Sequence, residues 1–311
     1  PFAYKPEGFA AGAGHGSTFY DEYGNLWHMG TITISQKHVF ERRLGLYPAF
    51  FDEQGTLYAV TQYGDYPLIM PEYKISEFED LFPGWMLLSY NKPVSVSSAE
   101  DSLPPEYITD ENIRTYWAAK TGDSGEYAVL DLEKVCDVYA VQINFAEHHT
   151  NVFGRQQGLA HQYTVKYSDN AEDWTLLIDQ SQSKTDRSHD YHQLSEPVCC
   201  RYLKLSNVNV PDGQFAVSGF RVFGKGNGEK AQPVTRFDVK RDAADRRVVH
   251  LDWEQSDHAT GYTIKYGINK NQLYQNHMVY LDTTLSIYSL NAGQSYFFAI
   301  EAFNENGISL K

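Results

Sequence analysis

The chain has 311 residues, of which 42% are hydrophobic and 14% aromatic, and its formal net charge at pH 7 is −14. This length allows two or three separate cores, because single domains usually contain about 100–200 residues. A surface this acidic repels phosphate backbones, which argues against a nucleic-acid partner, and no stretch approaches the roughly 18 consecutive apolar residues that a membrane span needs.

Apolar residues alternate with polar ones or form short runs between Gly, Asn, Asp and Pro turns, and helical periodicity is nearly absent. This pattern is typical of the short strands of sandwiches and propeller blades, so we predict an all-β chain. The Pro83-Gly84 turn and the polar stretch of residues 225–233 are breaks in composition. They divide the chain into predicted domains of residues 1–88, 89–227 and 232–311.

Two hairpins are predicted near the start of the chain. Residues 12–28 read as strand, turn and strand, and residues 49–58 repeat that pattern. Two hairpins make about one blade of a propeller. Asp21, Asp52 and Asp65 fall in the predicted turns and loops of this segment. The chain begins without an initiator methionine, and we expect it to be part of a longer protein.

The Gly-His-Gly-Ser sequence of residues 14–17, the Trp-His pair of residues 27–28 and residues 41–48 carry a family resemblance. They resemble the last blade and closing strand of the five-bladed β-propeller of glycoside hydrolase family 43. The resemblance implies an inverting hydrolase of pentose glycosides, which needs one carboxyl group as acid and another as base. In that family these carboxylates lie in earlier blades, so we expect no catalytic residue in this chain.

Two residues of this segment match functional positions of that family. His15 resembles a last-blade histidine that helps to hold Ca²⁺ or another structural cation near the propeller axis; the alternative is a hydrogen-bonded hairpin histidine. Arg43, or its neighbour Arg42, resembles an arginine that reaches the active-site floor and binds substrate; the alternative is a surface or interdomain ion pair. A slip of one residue reverses the face of a strand, so the choice between the two arginines stays open.

The middle segment carries five features in order, at residues 95–99, 107–117, 126–132, 163–174 and 217–224. Together they resemble a coagulation factor 5/8 type C domain, also called a discoidin domain or a family 32 carbohydrate-binding module. The resemblance implies an eight-stranded jelly-roll sandwich with ligand loops at one end. In such a site a sugar lies against an aromatic ring while a few polar groups fix its hydroxyls.

Two stretches are predicted to be those loops. Residues 147–157 form a long irregular insertion that contains Phe153 and Arg155, and residues 186–192 form a second loop with His189 and Tyr191. These four side chains are the predicted sugar-binding residues of the domain. Long loops with their own aromatic residues often serve as ligand sites or as packing surfaces, so packing of both loops on the preceding domain stays open as the alternative.

A structural calcium ion is common in this family near an Asp-to-Thr loop, and Asp110 and Thr115 stand at those positions. The position that would supply a glutamate is Gly219. Because Ca²⁺ takes about 6–8 oxygen ligands, losing a carboxylate weakens the expectation of an ion here.

The cysteines of the chain are Cys136, Cys199 and Cys200. Their odd number and the absence of a Cys-x-x-Cys pair argue against a metal site. Neighbouring residues on a strand point to opposite faces, so a bridge between Cys199 and Cys200 would be strained. We therefore expect buried, reduced thiols.

Residues 232–311 resemble a fibronectin type III domain. Trp253 matches its strand-B tryptophan, residues 259–266 match its strand C, and Tyr296 matches the tyrosine whose hydroxyl bonds back to nearby backbone. Both aromatic side chains are expected in the core. The module is expected to be a spacer without a site of its own.

The resemblances imply the C-terminal accessory portion of a xylosidase- or arabinofuranosidase-like glycosidase that acts in plant polysaccharide breakdown, in the periplasm or outside the cell. Its partners would be a plant-type polysaccharide or oligosaccharide and the N-terminal propeller part of the same protein. The sandwiches would bind carbohydrate or brace the propeller, and this chain alone would be inactive. The alternative is a stand-alone carbohydrate-binding or adhesion protein without hydrolase activity.

Overall fold

The computed structural model describes residues 2–33, 42–151 and 158–309. Within those ranges the regular structure consists of nineteen strands and two short 3-10 turns, so the predicted all-β class is confirmed. The described residues form two compact units. The first unit contains residues 2–33, 42–84 and 228–309, and the second contains residues 85–151 and 158–227. No helix in the described part of the chain is long and apolar enough to cross a membrane.

The first unit begins with an antiparallel meander of β1 (Ala11–Tyr20), β2 (Leu26–Thr33), β3 (Arg42–Phe51) and β4 (Leu57–Ala59). Both predicted hairpins are present, and a carboxylate closes each turn. Asp21 accepts hydrogen bonds from the backbone N–H of Asn25 at 2.8 Å and from the indole N–H of Trp27 at 2.9 Å. Asp52 accepts one from the backbone N–H of Thr56 at 2.8 Å. These bonds lie within a few residues of each carboxylate, which is why the turns could be read from the sequence.

The same unit contains a sandwich of β13 (Phe237–Arg241), β14 (Val249–Trp253), β15 (Gly261–Gly267), β16 (Gln275–Tyr280), β17 (Thr284–Ile287), β18 (Phe297–Asn304) and β19 (Gly307–Ile308). One sheet has the order β13-β14-β17 and the other the order β16-β15-β18-β19. Trp253 is buried in the core of this sandwich. The hydroxyl of Tyr296 accepts a hydrogen bond from the backbone N–H of Asn291 at 3.2 Å, which is the return bond that the sequence indicated.

Within the first unit the N-terminal segment packs on this sandwich. The ring of Tyr58 stacks on that of Tyr274 with centroids 3.9 Å apart, and the hydroxyl of Tyr274 donates to Asp52 at 2.8 Å. Lys5 and Asp65 form a buried ion pair at 3.1 Å. Asp65 therefore lies in a loop, as expected, and its carboxylate is buried in an ion pair with Lys5.

The second unit contains β5 (Met86–Leu87), β6 (Val94–Val96), β7 (Trp117–Ala118), β8 (Tyr127–Phe145), β9 (Gln162–Ser168), β10 (Thr175–Asp179), β11 (His189–Asn209) and β12 (Ala216–Lys225). Two long strands, β8 and β11, each serve both layers of the sandwich. The first part of β11 pairs with the end of β8, which also pairs with β12. The second part of β11 pairs with the beginning of β8 and with β9. β11 has breaks in register between Gln193 and Val198 and between Cys200 and Tyr202, and it pairs with β9 only from Tyr202 onwards.

The core of the second unit lies between these layers. Trp117 is fully buried there, meets Phe215 edge-on, and donates its indole N–H to the carbonyl of Ser98 at 3.0 Å. This bond gives the buried indole N–H a hydrogen-bond partner. Of the cysteines, two are buried in this core, but Cys199 is exposed, contrary to expectation. Its neighbour Cys200 takes the inward-facing position of the strand, which leaves Cys199 facing outward.

Candidate functional site

Phe145 ends β8, and several loops of the second unit meet around its ring. The ring stacks on His161 with centroids 4.1 Å apart and an interplanar angle of 6°, and it packs against Tyr163 and Phe215. His161 and Tyr163 stand at the start of β9, and Phe215 stands just before β12. The chain segments next to these strand ends therefore share one end of the sandwich.

His161 contributes an uncharged ring to this end of the sandwich. Burial lowers the pKa of its imidazole to about 4, so the ring is neutral at pH 7. Its Nδ1 is buried and has no hydrogen-bond partner among the described residues. At the start of the predicted long loop, Nδ1 of His148 lies 3.1 Å from the hydroxyl of Tyr116.

Two rows of side chains cross the outer face of the layer formed by β11, β8 and β12. In the first row His189 stands opposite Asn144, and in the second Tyr191 stands opposite Gln142, which stands opposite Arg221. Residues two apart on a strand share a face, so both rows lie on the same side of the sheet. The assignment of His189 and Tyr191 to a loop was wrong, because β11 already begins at His189.

Hydrogen bonds join these rows into one network. Nδ1 of His189 lies 2.9 Å from Oδ1 of Asn144, which can accept a hydrogen bond from the tautomer that is protonated at Nδ1. Gln142 donates to the same Oδ1 at 3.4 Å and accepts from Nη1 of Arg221 at 2.9 Å. The network holds His189 in one orientation on the strand that also carries Tyr191, a residue that is 42% exposed.

The network ends in a buried ion pair between Arg221 and Glu111, whose side chains are 2% and 6% exposed. Nε and Nη2 of the guanidinium each lie 2.9 Å from a carboxylate oxygen. This two-point geometry is the one in which a buried arginine offsets most of the cost of its desolvation. Glu111 has a φ of 58°, so the loop takes a left-handed backbone turn at the residue that reaches the sheet.

The residue between the two predicted side chains, Asp190, faces the interior instead. Its Oδ2 accepts a hydrogen bond from the hydroxyl of Tyr163 at 2.7 Å and lies 3.2 Å from Nε2 of His192, and its Oδ1 lies 3.4 Å from Arg187. Burial favours the neutral acid, but hydrogen bonds from His192 and Tyr163 and the charge of Arg187 hold the pKa of Asp190 below its ordinary range. Asp190 is therefore an ionised anchor for the start of β11.

Of the four predicted sugar-binding residues, the structure brings two together. His189 and Tyr191 share the outer face described above. Phe153 and Arg155 lie outside the described residues, and their role stays a prediction.

His15 and Arg43 lie in the sheet of the first unit, and both side chains are exposed. Thr31 of β2 pairs with Gly14 on one side and with Leu44 on the other. His15 follows Gly14 and Arg43 precedes Leu44, and β1 and β3 run parallel to each other, so the two residues lie on opposite sides of that row with β2 between them. Their roles in holding a cation and contacting substrate stay predictions.

Within the described ranges, no three His, Cys, Asp or Glu side chains are grouped so that they could hold a metal ion. In the predicted calcium loop, Asp110 accepts hydrogen bonds from the backbone N–H of Asn112 at 2.9 Å and the hydroxyl of Thr115 at 2.6 Å. Its neighbour Glu111 is committed to Arg221. With both carboxylates engaged inside the protein, these residues do not fit an ion that takes about 6–8 oxygen ligands.

Asn144, Gln142 and Arg221 were not predicted as parts of a site. The sequence did contain one local indication of this face. Gln142 and Asn144 flank the apolar Ile143, and polar side chains at every second position of a strand indicate a polar outer face. The register that sets them beside β11 joins residues far apart in the chain, and no local pattern contains it.

A known domain family matches most of the second unit. Residues 93–218 match the F5/8 type C domain. The resemblance of the middle segment to this domain is confirmed, and we call the second unit the F5/8 type C unit. No curated protein matches the chain.

Several solved carbohydrate-binding modules are similar to part of the chain. The family 32 module of NanJ from Clostridium perfringens, in complex with galactose, is 17% identical with a TM-score of 0.37, covering 45% of this chain and 98% of that chain. Chitosan-binding module 1 of a chitosanase/glucanase from Paenibacillus sp. IK-5 is 20% identical with a TM-score of 0.37, covering 45% and 99%. A fucose-binding module of Streptococcus pneumoniae is 17% identical with a TM-score of 0.36, covering 49% and 100%.

Proposed function

We propose that the F5/8 type C unit binds carbohydrate at the outer face that carries His189 and Tyr191. The observation that supports this proposal is the exposed ring of Tyr191 beside a histidine that Asn144 holds in place. An aromatic ring receives the apolar face of a sugar, and polar groups in fixed positions take its hydroxyls. Because the network fixes His189 before a ligand arrives, little side-chain freedom is lost on binding.

The charges near this face favour a neutral sugar. Glu111 neutralises Arg221, the cationic side chain of the second row, at 2.9 Å. The chain as a whole carries a formal charge of −14, which repels acidic sugars at long range. Neutral hexoses and pentoses are therefore the expected ligand class.

Titration calorimetry of the full chain tests this proposal. Its probes are galactose, fucose, chito-oligosaccharides and xylo-oligosaccharides. We expect at least one of them to bind with a Kd in the millimolar range or tighter, and Tyr191→Ala and His189→Ala to weaken that binding by about tenfold or more. Tyr288→Ala is the matched control, because Tyr288 is a 70% exposed tyrosine of the first unit. Failure of every sugar, or full binding by both site variants, would contradict the proposal.

We further propose that the chain is the C-terminal accessory portion of a xylosidase- or arabinofuranosidase-like glycosidase that acts on plant polysaccharide in the periplasm or outside the cell. A four-stranded antiparallel meander is the form of a propeller blade, and β1–β4 has it. The three- and four-stranded sheets of the C-terminal sandwich support a fibronectin type III assignment. In this proposal Arg43 contacts substrate, and His15 helps to hold a structural cation together with ligands from other blades.

Hydrolysis of aryl-xylosides and aryl-arabinosides separates this proposal from a stand-alone binding protein. We expect no turnover by this chain and restored turnover when the propeller part encoded upstream is supplied. In the reconstituted protein, Arg43→Ala should raise KM. Turnover by the 311 residues alone would place the catalytic carboxylates in this chain and overturn the assignment.

A further inference from the structure

The three cysteines of the chain lie close together in the F5/8 type C unit, although Cys136 is far in sequence from the adjacent pair Cys199 and Cys200. Cys136 of β8 and Cys200 of β11 are direct partners in the antiparallel pairing of the two strands, and Cys199 is the partner of Asp137. Cys136 is 3% exposed and Cys200 is fully buried, and both belong to the core between the layers. Directly opposed residues of antiparallel strands project to the same face of the sheet, so the two thiols are neighbours on that face.

The backbone geometry of such a pair suits a covalent bridge. Opposed residues in antiparallel strands have Cα atoms about 4.5–5.5 Å apart, and disulfides usually join Cα atoms about 4.4–6.8 Å apart. Cys199 has a different environment, because it is exposed and its thiol donates a hydrogen bond to Oδ1 of Asp137 at 2.9 Å. The strand register therefore places Cys136 and Cys200, and not Cys199, in position for a bridge. The spacing of the cysteines along the chain does not indicate this pair.

We propose that Cys136 and Cys200, which are thiols in this structure, form a cross-strand disulfide when the chain folds in an oxidising environment. The oxidant is a disulfide of the glutathione type. One cysteine thiolate attacks a sulfur of that disulfide and releases one thiol from it. The second cysteine thiolate then displaces the other thiol, so that two S–H bonds are replaced by one S–S bond and two electrons pass to the oxidant.

Because Cys200 is buried in the folded domain, the exchange takes place mainly during folding. Burial raises the pKa of the Cys200 thiol to about 12, so the folded domain holds almost no reactive thiolate at that position. Exchange is therefore fast while the strands are still open and slow once the core has closed. The completed bridge would close the loop of residues 136–200 and tie β8 to β11 beside the register break between Cys200 and Tyr202.

Counting thiols by intact mass tests the proposal. The full chain is refolded with a mixture of reduced and oxidised glutathione and then unfolded in iodoacetamide without reductant. We expect one alkylated cysteine, Cys199, and three after prior reduction. We also expect reduction to lower the Tm of the F5/8 type C unit by on the order of 5–10 °C. Three alkylated cysteines in the unreduced sample would overturn the proposal.

Single variants identify the bonded pair. Cys199→Ser should leave no thiol to alkylate without reduction, and reduction should lower its Tm as in the wild type. Cys200→Ala should leave two alkylated thiols and a Tm that reductant does not change. Two alkylated thiols in Cys199→Ser would mean that Cys199 is the bonded partner, which would also overturn the proposal.

Discussion

Oε2 of Glu7 lies 3.7 Å from Nδ1 of His277, within the first unit. Their side chains are 15% and 21% exposed, so little water reaches either group. Burial raises the pKa of Glu7 to about 7 and lowers the pKa of His277 to about 4. Burial disfavours the charged form of each group, and at about pH 5–6 the contact therefore joins two neutral side chains.

These two shifts should act on stability in opposite directions. The folded state binds the proton of Glu7 more tightly than the unfolded state does, so stability falls as the pH rises from 4.5 to about 7. The unfolded state binds the proton of His277 more tightly, so stability falls as the pH drops from 6.5 to about 4. Where the windows overlap the slopes cancel, and we expect the unfolding free energy of the first unit to be nearly flat there.

Replacing either Glu7 or His277 should reveal the pH dependence of stability that the other residue causes. Urea unfolding of Glu7→Gln should give stability that rises with pH across the His277 window, and His277→Gln should give stability that falls across the Glu7 window. Each slope should approach about 1.4 kcal/mol per pH unit. Glu53→Gln is the control, because Glu53 is exposed and its loss should leave the flat profile unchanged. Flat profiles in both site variants would show that these groups do not titrate as their burial implies.

The ion pair of Arg221 with Glu111 should be strongly coupled, because both side chains are almost fully buried. Arg221→Met leaves a carboxylate buried without its partner and should cost about 3–5 kcal/mol of unfolding free energy. The double variant Arg221→Met/Glu111→Leu removes both charges and should be more stable than Arg221→Met alone. Urea unfolding of both single variants and the double variant measures the coupling.

Arg236 provides the comparison for that experiment. It lies among Asp238, Asp252 and Glu254 on the sandwich of the first unit, but its side chain is 47% exposed. Water screens such pairs, so Arg236→Met should have a much smaller effect than Arg221→Met. Additive costs in the Arg221 and Glu111 cycle would mean that the buried pair is no more coupled than this exposed group.

Turns and strand content could be predicted because their causes are local. Asp21 closes its turn through Asn25, four residues away, and Tyr296 bonds to Asn291, five residues away. Such contacts leave a signature within a few residues, and the corresponding elements were read correctly. Alternating apolar residues likewise gave the all-β class, because one face of each strand must be buried.

The candidate site could be predicted only in part, because its geometry depends on pairing between distant residues. His189 and Tyr191 were recognised by residue type, but they were assigned to a loop. Their common face follows from the register of β11 on β8, which brings His189 to Asn144. The pairing of Cys136 with Cys200 has the same origin. In each case a shift of one residue would reverse the faces, so residue type alone could not give the arrangement.

Asp190 should make the F5/8 type C unit sensitive to acid. Hydrogen bonds from His192 and Tyr163 hold the pKa of Asp190 below its ordinary range. The unfolded state therefore binds its proton more tightly, and the stability that Asp190 contributes is present above about pH 4 and is lost as the pH falls through its folded pKa. Asp190→Asn should be less stable than the wild type at neutral pH, and urea unfolding at decreasing pH should show this difference shrinking.

The matched control for that variant is Asp169→Asn, because Asp169 is exposed in the same unit. It should give no pH-dependent difference from the wild type. Since Asp190 anchors the start of β11, Asp190→Asn should also weaken sugar binding through Tyr191 at neutral pH, whereas Asp169→Asn should not. A stability difference between Asp190→Asn and the wild type that stays the same from neutral to acid pH would mean that the carboxylate is not held ionised by His192 and Tyr163, and the anchor would then have to be a neutral contact.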